Sequence, residues 1–367
     1  MKIDAVYAYV FKIPLKTPFR ISVGEIIEKE GVIFECRSNG ISGWGEAAVD
    51  AVPFYAHETV GSVIDIASRV LGPLVQSSDW HSAEELNQAF EQFRGNQFAK
   101  AGLEAAYWDL LGKLQNKPCY KLLGGTRERV EAGPSIGIKS SPAKAIEAVR
   151  EQLKLGMRRI KIKVCPGHDF AYLQAIREEF PAITLMADAN NAYSIDDFAH
   201  LAKWDRFNLL MIEQPLNEHD IYYHAQLRKH LKTPVCLDES LHTYHDTLCA
   251  IALQAADIVN IKVCRVGGLC HTRRIHDLCQ AHGMPNWIGS RVGTGVAEAA
   301  RLTAASLPNC SLPSDCSFAR MYMADDIVRD RYRLEDGCFL TMPEGPGMGF
   351  DMLPDKLEQY TIARHKL

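Results

Sequence analysis

Five ionisable residues recur at nearly equal spacing through the middle of the chain, each at the end of a short apolar run. Successive members lie 24 or 25 positions apart, and they are Lys163, Asp188, Glu213, Asp238 and Lys262. Three carboxylates that meet in a small volume repel one another unless a cation lies between them. Oxygen ligands without Cys or His favour a hard ion. The acids therefore predict a site for Mg²⁺, with Mn²⁺ as a substitute; the alternative is a structural network in which lysines alone neutralise them.

The two lysines flank the three acids in chain order and predict proton-transfer chemistry. A lysine is an effective base only if its pKa falls toward neutrality. Lys161 lies two positions before Lys163 on the same face of a predicted strand, and its like charge would lower that pKa. The expected reaction removes the proton α to a carboxylate, and the divalent ion stabilises the resulting enediolate. Lys262 would donate a proton from the other face or stabilise the intermediate by its charge.

Two other uses of these lysines stay open on the residues alone. An edge strand protected from aggregation by lysines would also carry Lys161 and Lys163 on one face. A Schiff-base aldolase would use a single lysine at the mouth of a barrel. Neither alternative explains why three carboxylates recur at the same spacing as the lysines.

Polar neighbours of the acids are expected to support the site. Asn190 follows Asp188 by two positions and is expected to orient its carboxylate. Glu239 is next to Asp238, points to the opposite face of the strand, and is expected to hold a lysine or a water rather than the metal. We therefore expect Asn190 and Glu239 to act on the metal ligands without being ligands themselves.

Two loops near the start of the chain combine aromatic side chains with Pro or Gly. One contains Phe19 and Ile21, and the other contains Phe54 and Tyr55. Aromatic residues on loops commonly line binding pockets, so we expect these four side chains to contact a substrate. The alternative is that they only attach the loops to the core.

The pattern after about residue 126 places the five ionisable residues on parallel strands. Short apolar strands alternate with helical segments, as in β/α units that are buried on both faces. The predicted strands span residues 130–136, 160–163, 183–188, 209–213, 235–238, 258–262, 284–288 and 310–315. Eight such units predict an α/β fold with a closed TIM-like barrel, whose active site lies at the carboxyl ends of the strands. An open doubly wound sheet is the alternative, although no glycine-rich phosphate turn follows the first strand.

The rest of the chain predicts a second, smaller domain. Residues 1–50 have strand patterns and residues 57–116 have helix patterns, a combination that is typical of an α+β domain. The chain after about residue 325 is expected to fold back onto this domain. We therefore predict a capping domain of residues 1–125 with the tail 326–367, and a (β/α)7β barrel domain of residues 126–325.

Composition and charge narrow the classes of partner. The chain has 367 residues, of which 47% are hydrophobic, and a net charge of -4 without a long basic run, so neither nucleic acid nor an anionic membrane is expected to bind. No apolar run approaches the ~20 residues of a membrane span, and the N-terminus has a strand pattern rather than a signal peptide. Eleven scattered cysteines without a Cys-x-x-Cys pair indicate reduced thiols in a cytoplasmic protein.

The motifs around the ionisable residues resemble the enolase superfamily, in its muconate-lactonizing subgroup. The matching segments are Lys161-Ile162-Lys163, Asp188-Ala189-Asn190, Glu213-Gln214-Pro215, Asp238-Glu239-Ser240 and Asn260-Ile261-Lys262. Within the subgroup, the runs RIKIKVCPG from Arg159 and TPVCLDES from Thr233 are most similar to the o-succinylbenzoate synthase / N-succinylamino acid racemase family. A lysine instead of a histidine at position 163 argues against a mandelate-racemase-type site.

This resemblance implies specific roles. Lys163 would be the base in the syn-dehydration that forms o-succinylbenzoate in menaquinone biosynthesis, and Lys262 would stabilise the enediolate. In the alternative, racemisation of N-succinyl or other N-acyl amino acids, Lys262 would be the second base; a muconate-type cycloisomerisation is a further alternative. The resemblance also implies a substrate contact at Ser135, a role for Arg265 in tuning Lys262, and an assembly of identical subunits.

One segment departs from the family pattern. After the seventh strand the family usually has a small and an apolar residue followed by Glu-Thr-Gly, whereas residues 289–295 read GSRVGTG and lack the acid. Ser290, Arg291 and Val292 are expected to contact the substrate. Arg291 could bind a carboxylate bidentately and so select a new substrate, or it could point outward and pair at the surface. The segment Asp315-Cys316-Ser317 lacks a second Asp, which disfavours a dipeptide epimerase.

Overall fold

Three long antiparallel strands open the chain, and the C-terminal strand completes their sheet. The computed structural model describes residues 1–316 and 319–367, so Ser317 of the Asp315-Cys316-Ser317 segment lies outside the described residues. The opening strands are β1 (Ala5–Ile21), β2 (Gly24–Ser38) and β3 (Ile41–Ala47). The last strand of the chain, Thr361–Lys366, pairs antiparallel with β1, opposite β2. The two ends of the chain therefore build one sheet.

Helices follow and cover this sheet. They are α1 (Val60–Ile66), which continues through a π-helical turn (Ala67–Leu71) into α2 (Gly72–Gln76), then α3 (Ala83–Phe90), α4 (Gln97–Leu114) and α5 (Cys119–Leu123). Helix α4 is buried on nearly all sides and packs on β3. A Cβ atom on Gly43 or Gly45 would lie 2.3 or 2.1 Å from a carbonyl oxygen of α4, so glycine is what lets strand and helix approach so closely.

A parallel sheet with helices forms the middle of the chain. Its elements in chain order are β4 (Arg129–Glu131), β5 (Ser135–Ile136), α6 (Pro142–Lys154), β6 (Arg159–Lys163), α7 (Phe170–Glu179), β7 (Thr184–Asp188), α8 (Phe198–Leu201) between 3₁₀ turns Ile195–Asp197 and Ala202–Phe207, β8 (Ile212–Glu213), α9 (Ile221–Arg228), β9 (Val235–Leu237), α10 (Tyr244–Ala252), β10 (Ile258–Ile261), α11 (Val263–Val266), α12 (Leu269–Ala281), β11 (Asn286–Ile288), α13 (Gly295–Ala305) and α14 (Ala319–Tyr322). Strands β5 to β11 are parallel neighbours in chain order. The predicted α/β barrel architecture is confirmed.

The first and last predicted barrel strands differ from the observed ones. The predicted strand 130–136 is divided, because β4 pairs antiparallel with a tail strand and only β5 joins the parallel sheet. Pro134, which has no N–H to donate, separates the two parts. Residues 310–315 pair through single parallel bridges, Cys310 with Asn286 and Ser314 with Ala132. This segment therefore closes the barrel between β11 and the residues before β5.

The tail contacts both the barrel and the opening sheet. It contains β12 (Val328–Asp330), β13 (Arg333–Glu335), β14 (Phe339–Thr341), β15 (Phe350–Met352), α15 (Pro354–Tyr360) and β16 (Thr361–Lys366). Strand β14 is the one that pairs with β4, and β12 pairs with β15. No helix in the described part of the chain is long and apolar enough to cross a membrane. All eleven cysteines are free thiols.

A buried acid of the opening helices binds the N-terminal end of a barrel helix. Glu104 of α4 accepts hydrogen bonds from the backbone N–H groups of Leu269 (2.5 Å) and Cys270 (3.1 Å), which begin α12. Burial raises the pKa of Glu104 to about 7. The preceding Gly268 has φ +120, and a Cβ atom there would lie 1.7 Å from Glu104 Oε2. The contact between the opening helices and the barrel therefore requires glycine at this position.

Gly268→Ala should destabilise the protein more than Gly124→Ala. Gly124 has φ +93 and ψ 19, in the left-handed region, and a Cβ atom there would meet nothing within 4 Å, so alanine there costs the backbone penalty alone, about 1–2 kcal/mol. Gly268 has ψ -174, a backbone conformation nearly restricted to glycine, and its backbone penalty is larger. Overpacking against Glu104 should add about 1–3 kcal/mol at Gly268. Adding Glu104→Ala to Gly268→Ala should cost less than the sum of the two single changes, because it makes room for the new Cβ. The free energy of unfolding in denaturant measures all four variants, and equal losses at the two glycines would contradict the contact.

Candidate active site

Strand register places the predicted ionisable residues side by side. Lys163 is opposite Asp188 on the neighbouring strand, and Asp188 is opposite Glu213 on the next one. Asp238 directly follows β9 and Lys262 directly follows β10. The carboxyl ends of parallel strands lie at one edge of the sheet, so all five side chains meet at the mouth of the barrel.

Each lysine at the mouth contacts a carboxylate. Lys163 Nζ lies 2.5 Å from Asp188 Oδ2, and Lys262 Nζ lies 2.5 Å from Asp238 Oδ2. Lys161 Nζ lies between the two neighbouring acids, 3.2 Å from Asp188 Oδ2 and 3.1 Å from Glu213 Oε2. The three acids are fully buried. The site is therefore a row of carboxylates with an ammonium group against each member.

Burial and charge act in opposite directions on these acids. For Glu213, burial and then the Asp188 charge raise the pKa of the carboxyl well above its usual value. For Asp188, burial alone would raise the pKa, but the Lys163 and Lys161 ammonium groups lower it. The pKa of Lys161 is lowered by burial and raised more strongly by its carboxylate neighbours, so the net direction is upward. Lys161 therefore stays protonated, but its charge does not offset the effect of burial and of Asp188 on the pKa of Glu213.

A carboxylate that sequence analysis did not assign completes the surroundings of Lys161. Asp315 Oδ2 lies 2.5 Å from Lys161 Nζ, and Asp315 Oδ1 lies 2.8 Å from Arg159 Nη2. Lys161 was expected to lower the pKa of Lys163 by like charge; its ammonium is instead neutralised by three carboxylates. Asp315 ends the eighth predicted strand, so the rule that selected the other five residues could also have selected Asp315.

Amide and guanidinium groups orient the outer sides of the acids. Asn260 Nδ2 donates to Glu213 Oε1 over 2.7 Å, and Arg265 Nη2 lies 2.6 Å from Asp238 Oδ1. Gln214 has a left-handed backbone (φ +39), and its Oε1 accepts from the backbone N–H of Asp238 over 2.9 Å. Asn260 and Gln214 belong to the recognised motifs but were not assigned a role. They hold the acids in place from the side away from the lysines.

Asn190 and Glu239 form a separate hydrogen-bonded group with Tyr55. The backbone N–H of Asn190 donates to Asp188 Oδ1 over 3.1 Å, as expected for an orienting residue. Glu239 Oε1 accepts from the Asn190 side chain (2.8 Å) and from the Tyr55 hydroxyl (3.0 Å). The Tyr55 hydroxyl also accepts a hydrogen bond from Lys262 Nζ. Burial, followed by the neighbouring acids, raises the pKa of Tyr55 well above its usual value.

A cleft opens beside Lys163. Its lining residues are Phe19, Ser135, Lys161, Lys163, Ser290, Arg291, Val292, Gly293, Arg301, Asp315, Ala319 and Tyr322. Five of the predicted substrate contacts are among them, and three are not: Ile21 is buried, Phe54 packs against Gly24, and Tyr55 lies against Lys262. Tyr322, which no sequence pattern indicated, makes an edge contact with the Phe19 ring.

The donor set fits a hard divalent cation. Among the described residues, no three His, Cys, Asp or Glu side chains already converge on one point, because each acid of the row faces an ammonium or guanidinium group. The fit lies in the chemistry: three fully buried carboxylates stand at the ends of consecutive strands, and the ammonium group beside Glu213 does not offset the cost of burying its charge. Asp188, Glu213 and Asp238 are the residues that would hold Mg²⁺ or Mn²⁺.

Two domain families match the chain over most of its length. The mandelate racemase / muconate lactonizing enzyme N-terminal domain matches residues 5–124, and the enolase C-terminal domain-like family matches residues 144–356. The o-succinylbenzoate synthase of Bacillus subtilis (strain 168) is 38% identical over 363 residues, covering 98% of this chain and 97% of the relative. The N-succinylamino acid racemase of Thermus thermophilus is 38% identical over 362 residues, covering 99% and 98%.

Solved structures show the same architecture. A member of the enolase superfamily from Listeria innocua superposes with a TM-score of 0.95 at 33% identity, covering 100% of this chain and 99% of that one. The muconate lactonizing enzyme of Pseudomonas fluorescens has a TM-score of 0.93 at 23% identity, covering 98% and 99%, which shows a shared fold.

Proposed function

The chain belongs to the enolase superfamily and is an enzyme, and from this premise we propose that it abstracts the proton α to a carboxylate of a small substrate with the help of Mg²⁺. The specific reaction that we propose is the dehydration catalysed by o-succinylbenzoate synthase, a step of menaquinone biosynthesis. Relatives that carry this name are similar to the chain over nearly its full length.

The observation that carries the proposal is the pair of opposed lysines. Lys163 ends the second strand of the eight-membered barrel and Lys262 follows the sixth, so they lie on opposite sides of the mouth. The carboxylate row of Asp188, Glu213 and Asp238 ends the strands between them. A planar carbon acid bound to this row would present one face to each lysine.

The charges of the cluster support an anionic substrate. Five acids and five bases balance when all are ionised: Asp188, Glu213, Asp238, Glu239 and Asp315 against Arg159, Lys161, Lys163, Lys262 and Arg265. A bound divalent ion would supply the positive charge that stabilises an enediolate. The added positive charge would be balanced by the negative charge of a substrate carboxylate.

Each side chain around the carboxylate row then has a separate role in the reaction. Lys163, which faces the cleft, takes the α-proton. Lys262 holds its charge against the other face of the substrate, fixed by Asp238 and the Tyr55 hydroxyl. Lys161, neutralised by three acids, keeps the carboxylate row together. Phe19, together with Tyr322, shields the cleft from water.

A second candidate reaction is racemisation of N-succinyl amino acids. Lys262 makes the same contact with Asp238 that Lys163 makes with Asp188, 2.5 Å in each case. Such symmetry suits two bases that act on opposite faces of one carbon. A relative of comparable similarity is named N-succinylamino acid racemase. Cycloisomerisation of a muconate is a third and weaker candidate, since the muconate lactonizing enzyme shares only the fold.

A test with two substrates separates the candidates. With Mg²⁺ present, o-succinylbenzoate formation is followed by absorbance, and incorporation of solvent deuterium into the D and L forms of an N-succinyl amino acid is followed by NMR. Lys262→Ala should lose exchange of one enantiomer and retain exchange of the other, because each lysine faces one side of the carbon. If both assays are silent for the wild type, neither proposed reaction is correct and a new substrate must be sought.

The remaining expectations concern the setting of the enzyme. We propose that it acts in the cytoplasm as an assembly of identical subunits, without nucleic acid or membrane partners. The free thiols are in keeping with a reducing compartment. Light scattering of the purified protein measures the mass of the assembly directly.

A further inference from the structure

The residue that departs from the family pattern, Arg291, lies at a contact between the opening sheet and the barrel. Its side chain is buried and forms an ion pair with Asp50, which follows β3. Lys29 of β2 binds the other oxygen of the same carboxylate over 2.9 Å. Asp50 therefore pairs with two cations, Arg291 through one carboxylate oxygen and Lys29 through the other.

Arg291 also contacts the far end of the segment that Asp50 begins. The Arg291 guanidinium carbon lies 4.0 Å from the centre of the Tyr55 ring, so the aromatic face covers the cation. The hydroxyl of the same Tyr55 accepts a hydrogen bond from Lys262 and donates one to Glu239. One guanidinium thus holds both ends of the segment 50–55 and, through Tyr55, reaches Lys262.

Gly293, which stands where the family usually has an acid, lies at the same contact between the opening sheet and the barrel. Position 293 is glycine, and a Cβ atom there would lie 2.7 Å from Glu46 Oε1. Glu46 Oε2 instead accepts from the backbone N–H (3.0 Å) and the hydroxyl (2.5 Å) of Thr294. Arg301 donates to the Arg291 carbonyl over 3.1 Å. The sequence GSRVGTG therefore docks on the end of β3 and the residues after it through charged and polar contacts.

We propose that Arg291 is a positioning residue: it fixes the segment 50–55 so that the Tyr55 hydroxyl holds Lys262, and it does not bind the substrate. Asp50 binds its Nη2 and the Tyr55 ring covers its face, so the guanidinium is held in place by residues of the chain. The link to catalysis rests on the proposed function of Lys262; the docking of the segment does not. Movement of a reacting group by about 1 Å can cost up to about 100-fold in rate.

Arg291→Met tests this positioning role. Asp50 keeps its bond to Lys29 in this variant, so we expect the protein to fold, as its melting temperature will show. Hydrogen exchange of the backbone amides in residues 50–56 should become faster. Deuterium incorporation that depends on Lys262 should fall about tenfold or more, whereas incorporation that depends on Lys163 should change by less than about twofold. Lys163→Ala and Lys262→Ala establish which enantiomer reports each lysine, and Tyr55→Phe should reproduce the selective loss.

The matched control is Arg274→Met. Arg274 forms an exposed ion pair, 2.7 Å long, with Glu91 of the opening helices. Its replacement should change neither the amide exchange of residues 50–56 nor the deuterium incorporation. A raised KM in Arg291→Met with unchanged amide protection would overturn the proposal in favour of a substrate-binding arginine. An equal loss on both enantiomers would overturn it in favour of a merely structural role. If the wild type exchanges neither enantiomer, the racemase candidate fails, and amide protection alone then decides the docking role: faster exchange supports it, and unchanged exchange overturns it.

Discussion

Lys163→Ala should reduce turnover by about 10²- to 10⁴-fold, the usual contribution of a general base. The side chain lines the cleft and contacts one acid, Asp188, which keeps Lys161 as a second partner in the variant. The fold should therefore persist. Affinity for Mg²⁺ should stay the same or rise, because one competing ammonium group has been removed from Asp188. Steady-state kinetics at saturating Mg²⁺, together with calorimetric titration of the metal, measure both effects.

Lys144→Ala is the control for this experiment. Lys144 lies on the exposed side of α6, paired with Glu147, and its removal should change neither rate nor metal affinity. An unchanged rate in Lys163→Ala would contradict the assignment of the base. A different outcome, in which the wild type has no measurable activity and Lys163→Ala changes only stability, would favour a metal-stabilised scaffold without catalytic activity.

Removal of the metal should abolish activity. In Glu213→Gln, added Mg²⁺ should not restore it. Treatment with EDTA is expected to bring turnover to background, and Mg²⁺, or Mn²⁺ as a substitute, should restore it. In the wild type, Mg²⁺ at 100 times its Kd should raise the free energy of unfolding by about 2.7 kcal/mol. In Glu213→Gln this stabilisation should disappear, because the central carboxylate of the row is lost.

Without bound metal, the wild type should lose its advantage in stability over Glu213→Gln. Burial and the Asp188 charge raise the pKa of Glu213, so its ionised form costs stability when no metal is bound. Metal-free Glu213→Gln should therefore be at least as stable as the metal-free wild type. Glu104→Gln, which alters a buried acid outside the site, should retain the stabilisation by Mg²⁺. Denaturant unfolding with and without Mg²⁺ tests the set, and a stabilised Glu213→Gln would rule out Glu213 as a ligand.

Much of the site follows from repetition along the chain. Each β/α unit has nearly the same length, so an ionisable residue at the end of one strand lies beside its counterpart on the next, as Lys163, Asp188 and Glu213 do. Parallel strands bring all of these ends to one edge of the sheet. Composition and spacing were therefore sufficient to predict the barrel, the row of acids and the two lysines before any contact was known.

Pairing at the two ends of the barrel sequence was not predictable in the same way. The run 130–136 looks like one apolar strand, yet its first part pairs with β14 of the tail and only its last two residues join the barrel. An apolar run shows that a segment is buried but does not show which neighbour covers it. The same limitation concerns the partners of Asp315: the position at a strand end could have selected the residue, but not its contacts with Lys161 and Arg159, which span more than 150 positions of the chain.

Residue type and strand spacing are local properties that repeat from one unit to the next, so they suffice to predict which ionisable groups meet at the barrel mouth. The surroundings of those groups depend on tertiary contacts. Arg291 could equally have met a substrate or the solvent; it lies against Asp50, 241 positions away, and under the ring of Tyr55. Such contacts depend on how the opening sheet docks on the barrel mouth, and no periodicity in either segment encodes that geometry.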